Sequence, residues 1–244
     1  MYKRILITGV SRPGGIGSEL ARKFAESGYV VYTHGSAEYD EAIGYSDAGK
    51  KRSMEKVTRL EDSDLSTKEG VEKLLAELSN HEPFSHMILC HAHSTECEME
   101  DWTFEEINSH LLTNVTSSML LIQAFRKNFE DTAGCITLFT SGQELGPMTN
   151  EIPYAVSKAA VANLAVQASH ILGIMDIRVN AVNPGPTDTG YIEDPELYHE
   201  IESRFNAKRW GTPSDVANLL LFLHSREGAW ITGQVINSEG GFRR

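Results

Sequence analysis

Short runs of apolar and β-branched residues alternate along the chain with longer segments of helical hydrophobic period. The runs predict seven strands, at residues 4–8, 29–33, 56–60, 86–91, 135–140, 177–182 and 234–237. The intervening segments predict helices near residues 16–27, 67–80, 103–130, 154–173 and 214–224. Strands that alternate with helices of this length are typical of βαβ units, in which the strands run parallel and helices cover both faces of the sheet. The pattern therefore predicts an α/β fold with one doubly wound layer.

Two regions lack either pattern, residues 35–55 and residues 184–212. No repeat, low-complexity stretch or linker divides the sequence, so we expect a single domain over residues 1–244. The first irregular region contains a basic run at 50–52, which is more simply interpreted as a solvated loop than as a phosphate site.

Composition and charge narrow the possible partners. The chain has 244 residues, of which 41% are hydrophobic, and a formal net charge of -12. This length is enough for one large α/β core. Because nucleic acids and anionic membranes require a basic surface, we expect neither as a partner and favour a small-molecule substrate. Lys3 and Arg4 precede a short apolar run, but Gly9 and Pro13 interrupt it, so it predicts neither a signal peptide nor a membrane span.

The three cysteines are Cys90, Cys97 and Cys135, which form no even set and no C-x-x-C pair. A disulfide framework is therefore not expected, and a reducing compartment is the natural interpretation. Together with the N-terminal pattern, this predicts a cytoplasmic protein.

A glycine-rich turn, TGVSRPGGIG from Thr8 to Gly17, joins the first strand to the first helix. Glycine allows backbone N–H groups to approach a pyrophosphate closely, and a helix N-terminus offers unpaired N–H groups and the positive end of a dipole. A glycine-rich stretch can also be only a turn. The combination of strand, glycines and helix in the opening βαβ unit favours a dinucleotide-binding site.

Tyr154 and Lys158 lie four residues apart in a predicted helix, and Ser141 ends an apolar strand upstream. The spacing places a phenol and an ammonium on one helical face. A buried ammonium lowers the pKa of a neighbouring phenol, which makes tyrosine usable as a proton donor and acceptor. Alone, such a pair is a weak signal, because solvated pairs of this kind are common.

Taken together, these motifs resemble the short-chain dehydrogenase/reductase family, in particular its 3-oxoacyl-(acyl-carrier-protein) reductase-like branch. The resemblance covers essentially the whole chain. The residues that carry it are TG and GIG within 8–17, Asp64 in DLS, Asn114 in LLTNVT, Ser141 in FTSG, YAVSK at 154–158, NPGPTDT at 183–189 and ITGQVINSEGG at 231–241. It implies a Rossmann fold with strand order 3-2-1-4-5-6-7, a nicotinamide cofactor, and a homotetramer or dimer built on the helices near 103–130 and 154–173.

The resemblance also implies a catalytic tetrad of Asn114, Ser141, Tyr154 and Lys158. Tyr154 would exchange a proton with the substrate oxygen, and Ser141 would donate a hydrogen bond to that oxygen. Lys158 would lower the pKa of the tyrosine and hold the nicotinamide ribose. Asn114 would mark a backbone irregularity that anchors a water. It also begins a glycosylation sequon, Asn114-Val115-Thr116, a match that is fortuitous without a secretory signal.

The residues predicted to contact the cofactor share the strand ends and the turns that follow them. They are Gly9, Ser11, Arg12, Gly15, Ile16, Gly17, His34, Ser36, Asp64, Leu65, Ala92, Tyr154, Lys158, Pro184, Gly185, Thr187 and Thr189.

The choice between the two nicotinamide dinucleotides depends on the end of the second strand, where an acidic residue would bind the ribose 2′-OH of NAD. Gly35 stands at that position. Arg12, His34 and Ser36 could bind a 2′-phosphate instead. We therefore favour NADP(H), with NAD(H) as the alternative, and note that Arg12 could also be an ordinary solvated side chain.

The sequence departs from the family pattern at two places. Five residues, VSRPG, separate Gly9 from Gly15 where three are usual, so the turn should be wider. The second departure is CHAH at 90–93, where the family usually has NNAG, so that His93 adds bulk beside the cofactor. Cys90, His91, His93 and Cys97 could together suggest zinc, but adjacent strand residues point to opposite faces and the spacing fits no common pattern, so no metal is expected.

The resemblance assigns residues 186–212 to a segment that closes over the substrate. Gln143, Glu144, Tyr191 and Trp210 are candidates for the substrate wall, although each could equally be packing or surface. Cys135 occupies a position where a basic residue often stands in the carrier-protein reductases, which, with the acidic charge, disfavours an acidic carrier as a partner.

The sequence as a whole predicts an NADP(H)-dependent carbonyl reductase or alcohol dehydrogenase that transfers hydride, with Tyr154 as general acid and base. One alternative is a 3-oxoacyl-(acyl-carrier-protein) reductase. Another is a catalytically weak, cofactor-binding regulatory protein, suggested by the altered CHAH stretch; the intact tetrad argues against it. A purely structural subunit is the weakest interpretation.

Overall fold

The computed structural model describes residues 3–42, 56–192 and 194–244, so the basic run at 50–52 lies outside the described residues. Seven parallel strands form one sheet in the order 3-2-1-4-5-6-7, which confirms the predicted fold class and strand order. The strands are β1 (Arg4–Thr8), β2 (Val30–Thr33), β3 (Val57–Arg59), β4 (His86–Leu89), β5 (Gly134–Phe139), β6 (Ile177–Asn183) and β7 (Val235–Asn237).

Eight α-helices accompany the sheet within the described residues. They are α1 (Ile16–Glu26), α2 (Ala37–Ala42), α3 (Lys68–Leu78), α4 (Phe104–His110), α5 (Ser117–Lys127), α6 (Ile152–Leu172), α7 (Pro195–Ser203) and α8 (Pro213–Leu223). Short 3-10 turns occupy Met99–Asp101 and Gly173–Met175. None of the described helices is long and apolar enough to cross a membrane.

Three elements differ from the sequence prediction. The predicted helix at 103–130 is interrupted by a π-helix at Leu111–Thr116, which separates α4 from α5. Two regions expected to be irregular each contain a short helix, α2 and α7. Asp194 caps α7 by accepting from the N–H groups of Glu196 and Leu197, a local signal that accounts for this helix.

The core has one layer on each face of the sheet. β1 shows how alternation divides it, because Leu6 belongs to the cluster that contains α3, α5 and α6, whereas Ile5 and Ile7 belong to the cluster that contains α1 and α8. Strands buried on both faces read as continuous apolar runs, which is why the sequence located them.

The parallel arrangement brings the carboxyl ends of the strands to one edge. β1 leads into the glycine turn there, β4 into residues 90–93, β5 into Ser141 and β6 into residues 184–189. In open α/β sheets the ligand site lies outside this edge.

Candidate functional site

A cleft of about 1120 Å³ lies along this edge. It is large for a small-molecule site and suits an extended ligand. The predicted cofactor contacts that line it are Gly9, Ser11, Arg12, Gly15, Ile16, Gly17, His34, Ser36, Asp64, Leu65, Ala92 and Thr189.

The glycine turn packs so closely that side chains are excluded. Gly9 adopts φ +72°, and a β-carbon on it would lie 2.6 Å from the backbone of Cys90 and His91. A β-carbon on Gly17 would lie against the carbonyl oxygen of Gly9, well inside van der Waals contact. The first turn of α1 and β4 can therefore approach the turn only because both positions are glycine.

The end of β2 meets the same turn. A β-carbon on Gly35 would lie 2.7 Å from the Ser11 hydroxyl, and the Ser36 N–H donates to that hydroxyl at 3.2 Å. Ser11, Gly35 and Ser36 thus form one polar corner of the cleft. The predicted acid position is too crowded for any larger residue.

His34 and Arg12, both predicted to attract a 2′-phosphate, differ in their surroundings. The His34 ring is buried, with Nε2 2.9 Å from the Ser63 hydroxyl, and burial lowers its pKa to about 4, with a smaller effect from Arg59 in the same direction. His34 is therefore neutral near pH 7, so it could contact a 2′-phosphate only as a neutral hydrogen-bonding group. The Arg12 guanidinium lines the cleft and donates to the Thr189 carbonyl at 2.7 Å.

Sequence reasoning missed Arg59, the last residue of β3. Its guanidinium donates to the Val10 carbonyl of the glycine turn and pairs with Asp62, with Nε 3.0 Å from Oδ1. Asp62 in turn accepts from the N–H of Ala37, next to the polar corner. Arg59 and Asp62 thus lie beside the end of β2 because β3 pairs with β2, a pairing that cannot be read from the sequence.

Tyr154, Lys158 and Ser141 come together as predicted. Tyr154 lies in the first turn of α6, Lys158 one turn later, and Ser141 follows β5. The Lys158 ammonium is buried, donates to the Phe139 carbonyl at 2.9 Å and lies 5.5 Å from the centre of the Tyr154 ring.

Burial dominates the electrostatics of this group. It raises the pKa of Tyr154 above its ordinary value, and a hydrogen bond with Ser141 opposes the shift. It also lowers the pKa of Lys158 to about 8. The expectation that Lys158 lowers the tyrosine pKa was therefore wrong for this arrangement, because the ammonium is directed at Phe139 and desolvation disfavours the phenolate. Tyr154 is a protonated phenol at neutral pH, suited to donate.

Asn114 lies on the π-helix, which confirms the predicted backbone irregularity. Its side chain is buried; Oδ1 accepts from His93 N at 2.8 Å, and Nδ2 donates to His93 O at 3.0 Å and to the Ser157 hydroxyl at 2.8 Å. It therefore joins the π-helix to the loop after β4 and to α6.

The two histidines of the CHAH stretch, His91 and His93, both have packing or hydrogen-bonding partners around the site. His91 is buried, with Nδ1 2.6 Å from the Thr8 hydroxyl and Nε2 2.9 Å from the Ser117 hydroxyl, so neither ring nitrogen is available to a metal. The His93 ring packs between Tyr39 and His110, at centroid distances of 5.3 and 4.6 Å. The bulk predicted beside the cofactor is accommodated by these aromatic contacts.

Of the other predicted cofactor contacts, Tyr154 and Lys158 do not line the cleft, and neither do three residues after β6. Thr187 donates to the Gly185 carbonyl at 3.1 Å, and a β-carbon on Gly185, at φ +64°, would meet Glu239. Pro184 precedes this tight turn. These residues shape the backbone after β6, and Thr189 and Tyr191 face the cleft beyond them.

Of the predicted substrate residues, only Tyr191 lines the cleft. Gln143 is occupied with Ser141 N and the Thr140 hydroxyl, at 3.2 Å each, and Glu144 is exposed. Trp210 is 3% exposed and stacks on Tyr198 at 4.9 Å, so its assignment to the substrate wall was wrong. The Trp210 indole stacks on Tyr198 and its N–H donates to the Tyr198 carbonyl, so its role is in core packing.

The cleft residues that the sequence analysis did not assign to the site include Glu96 and Glu151. The N–H of Cys97 donates to the Asn150 carbonyl at 2.8 Å, which holds their two segments together. Burial, and secondly the charge of Glu96, raise the pKa of Glu151. The sequence signal that could have identified Glu151 is its position directly before α6 and three residues before Tyr154.

A parallel α/β sheet with a glycine turn and a serine–tyrosine–lysine group at its carboxyl edge, the lysine buried, defines a dinucleotide-binding oxidoreductase. Residues 9–243 match a family profile described as enoyl-(acyl carrier protein) reductase. The chain belongs to the short-chain dehydrogenase/reductase family, and both this prediction and that of an oxidoreductase are confirmed.

Named relatives agree with this assignment. The chain is 33% identical to an uncharacterized oxidoreductase of Bacillus subtilis, over 99% of this chain and 97% of the relative. It is 30% identical to a glucose 1-dehydrogenase of Gluconobacter oxydans, over 98% and 91%. The crystal structure of a short chain dehydrogenase family protein from Francisella tularensis superposes with a TM-score of 0.84 at 25% identity, covering 99% of this chain and 98% of that one.

Proposed function

We propose that this protein is an NADP(H)-dependent oxidoreductase that reduces a carbonyl to a secondary alcohol, or catalyses the reverse reaction. The single observation that carries the proposal is the half-buried Tyr154, which lies beside Ser141 and one helical turn before Lys158, at the same edge of the sheet as the cleft. A protonated phenol in a desolvated site is a general acid for a carbonyl oxygen.

The cleft fits a nicotinamide dinucleotide. Gly9, Gly17 and Gly35 stand where a β-carbon would collide with the backbone or with a neighbouring hydroxyl, which leaves a cradle bounded by main chain. α1 starts at this turn, and Gly15 at its N-cap makes no side-chain capping bond. The N–H groups there are suited to a pyrophosphate. When bound, the nicotinamide supplies or accepts the hydride.

The residues of this chain then divide the remaining work. Ser141 donates a hydrogen bond to the substrate oxygen, which stabilises the charge that develops there. Tyr154 delivers its proton to the same oxygen. Lys158 holds a positive charge between Phe139 and the tyrosine ring, and its remaining N–H groups are available to ribose hydroxyls.

Support for NADP(H) over NAD(H) now rests on Arg12, Ser11 and Ser36 rather than on His34. Arg12 lines the cleft, and the two serines form the corner where an acidic residue would stand in an NAD site. Asp62 comes near this corner, but its charge is paired with Arg59.

For the substrate, the acidic lining favours a neutral, small carbonyl compound or alcohol. Glu96 and Glu151 face the cleft close to Tyr154, so an anionic acyl group would meet like charge. The second candidate, a 3-oxoacyl-(acyl-carrier-protein) reductase, is supported by relatives of that name, including one of Aggregatibacter actinomycetemcomitans at 29% identity; the matched family's description shares with it the acyl-carrier-protein substrate but names an enoyl reductase. The surviving tetrad argues against a purely regulatory role.

Assembly into a dimer or tetramer is part of the proposal. Met119 of α5, and Val156 and Val166 of α6, expose between 40% and 56% of their surface on the two helices expected to pair. Apolar side chains exposed in this way on adjacent helices are suited to contact a second copy.

A screen of free ketones, aldehydes and secondary alcohols with both dinucleotides tests the proposal, following the absorbance of the reduced nicotinamide. We expect turnover with at least one neutral compound, absent in Tyr154→Phe. Tight dinucleotide binding without turnover on any compound would favour the regulatory alternative instead.

A further inference from the structure

Three side chains beside the tetrad converge on one point. One ligand atom from each of His93, Glu106 and His110 lies within 4.8 Å of the other two. Glu106 and His110 are one helical turn apart on α4, and His93 reaches them from the loop after β4. We propose that these three residues bind a divalent transition metal of the zinc class. The proposal is independent of the proposed function.

The His93 ring is the first reason. Its Nε2 atom is buried and has no hydrogen-bond partner among the described residues, and it points toward Glu106, with 4.0 Å between Nε2 and Oε1. An orphaned buried nitrogen is costly and calls for a ligand.

His110 is oriented as a ligand. Its Nδ1 lies 3.0 Å from the Glu106 carbonyl, which accepts a hydrogen bond only from a protonated nitrogen. With a proton on Nδ1, the lone pair lies on Nε2, which accepts a long hydrogen bond of 3.4 Å from the N–H of Thr95; a metal at Nε2 would replace this bond. Metal-binding histidines commonly donate their second nitrogen to a backbone carbonyl in this way.

The separations are close to those a metal needs. Four tetrahedral ligands at zinc distances lie about 3.4 Å apart. Glu106 Oε1 lies 4.0 Å from His93 Nε2, and one ligand atom of each residue lies within 4.8 Å of the other two, so side-chain rotations would bring the three ligands to metal-binding separations. Two histidines and one carboxylate are an established zinc set that leaves a fourth position open.

The framework around the cluster is fixed without a metal. Asn114 holds the backbone of His93, and α4 holds the other two residues. The Thr95 hydroxyl contacts Glu106 and lies 3.4 Å from His110 Nε2, so it either moves aside or completes the site. The metal would link the loop after β4 to α4. The site lies close to Tyr154, whose ring centre is 6.4 Å from that of His110.

The earlier expectation of no metal concerned Cys90, His91, His93 and Cys97. Only His93 recurs in the present set, and His91 is occupied by Thr8 and Ser117. Glu106 lies thirteen residues beyond His93 in the sequence, so spacing alone could not group them.

The test uses the whole chain equilibrated with Zn²⁺ or Co²⁺ and then freed of excess metal. We expect about one bound metal per chain and a Co²⁺ spectrum without thiolate charge-transfer bands. His93→Gly and Glu106→Gln should each weaken Co²⁺ binding at least about tenfold, since losing even a supporting contact to a ligand costs that much. His93→Gly introduces the residue usual in the family. The hydrogen bonds between Asn114 and His93 involve only the backbone of His93, so the variant keeps them and should fold.

The matched control is His199→Ala, because His199 and Glu202 form an exposed pair with 3.3 Å between Nδ1 and Oε2. This variant should bind metal like the wild type. The proposal would be overturned if the wild type held no more metal than His93→Gly, or if both site variants bound metal as the wild type does. The cluster would then be a hydrogen-bond network. Thiolate bands would also overturn it, by assigning the metal to cysteine.

Discussion

Asn114 and His93 are joined by two hydrogen bonds, from His93 N to Oδ1 at 2.8 Å and from Nδ2 to His93 O at 3.0 Å. The amide thus satisfies both backbone groups of a residue in the loop after β4. The π-helix is what directs Asn114 toward this loop, so the irregularity in the helix and the shape of the cleft have one cause.

Replacing Asn114 by alanine should destabilise the fold, because it removes the partners of two backbone groups and of the Ser157 hydroxyl. We expect a loss of about 1–3 kcal/mol in the free energy of unfolding, measured by urea denaturation. Asn114→Asp, which keeps the acceptor but places a buried carboxylate oxygen against the His93 carbonyl, should be at least as destabilising as alanine. Equal stability of all three proteins would show that the two bonds are not retained in solution.

Tyr154→Phe should fold and bind the dinucleotide but lose turnover by at least about a hundredfold, since only the proton donor is removed. Lys158→Met should in addition weaken dinucleotide binding, because the ammonium is also available to ribose. Tyr32→Phe, in the β2 region away from the cleft, serves as the control. Substantial activity in Tyr154→Phe would refute the assigned acid, and equal dinucleotide affinity in the Tyr154 and Lys158 variants would refute the second role of the lysine.

Arg12→Ala should weaken NADPH binding more than NADH binding, because a guanidinium forms charge-assisted hydrogen bonds with a phosphate. Calorimetric titration with both dinucleotides gives the two affinities. Ser36→Ala should show a smaller loss of the same sign. An equal loss for both dinucleotides would mean that Arg12 contributes through its bond to Thr189 and does not contact the 2′-phosphate.

Glu151→Gln should raise kcat/KM for a carrier-bound or carboxylate-bearing ketone relative to a neutral ketone, because it removes one negative charge from the cleft. In the wild type, the neutral substrate should be at least as good as the carrier-bound one, and added salt should reduce the discrimination through screening. Glu144→Gln, at an exposed position, is the matched control. A strong preference of the wild type for the carrier-bound form, weakened by salt, would support the 3-oxoacyl reductase alternative.

The buried pair of His86 and His224, with 3.0 Å between their Nδ1 atoms, should make the fold sensitive to acid. Burial lowers the pKa of His86 to about 3 and that of His224 well below its ordinary value. Between about pH 6.5 and 3 the unfolded chain therefore binds more protons than the folded one, and the free energy of unfolding falls as the pH falls.

Comparison of urea unfolding at pH 7 and pH 5 tests this. Each such histidine contributes about 2 kcal/mol to the loss of stability between these values. His86→Gln should be less stable at both pH values but show a smaller difference between them. His199→Gln, at an exposed site, should leave the difference unchanged. If His86→Gln also leaves it unchanged, the pair is not neutral in the folded protein.

The strands, the glycine turn and the spacing of Tyr154 and Lys158 on one helix could be predicted because each depends on local sequence. A strand buried on both faces is a continuous apolar run, and Gly9 and Gly17 are required by backbone contacts within one βαβ unit. The helical period also located α6, and with it the spacing of Tyr154 and Lys158.

What the sequence could not show depends on burial and on distant pairing. An indole such as Trp210 has the same sequence signal in a core as on a substrate wall, and the neutral state of His34 follows from its desolvation. The π-helix adds a single residue to a turn and hardly disturbs the hydrophobic period. The contact between Arg59 and the glycine turn requires the register of β2 and β3, which pairs Thr33 with Arg59.

The bond from Arg12 to the Thr189 carbonyl has a consequence for how two ligands influence each other. It ties the glycine turn to the segment that carries Tyr191. A dinucleotide that contacted Arg12 would therefore also change the free energy of the Tyr191 segment, which faces the proposed substrate. Linkage then requires reciprocity, in which each ligand changes the affinity of the other by the same factor. If the proposed dinucleotide contacts Arg12 and the proposed substrate contacts Tyr191, the arginine would couple the two binding equilibria, and the coupling factor could be measured from either ligand.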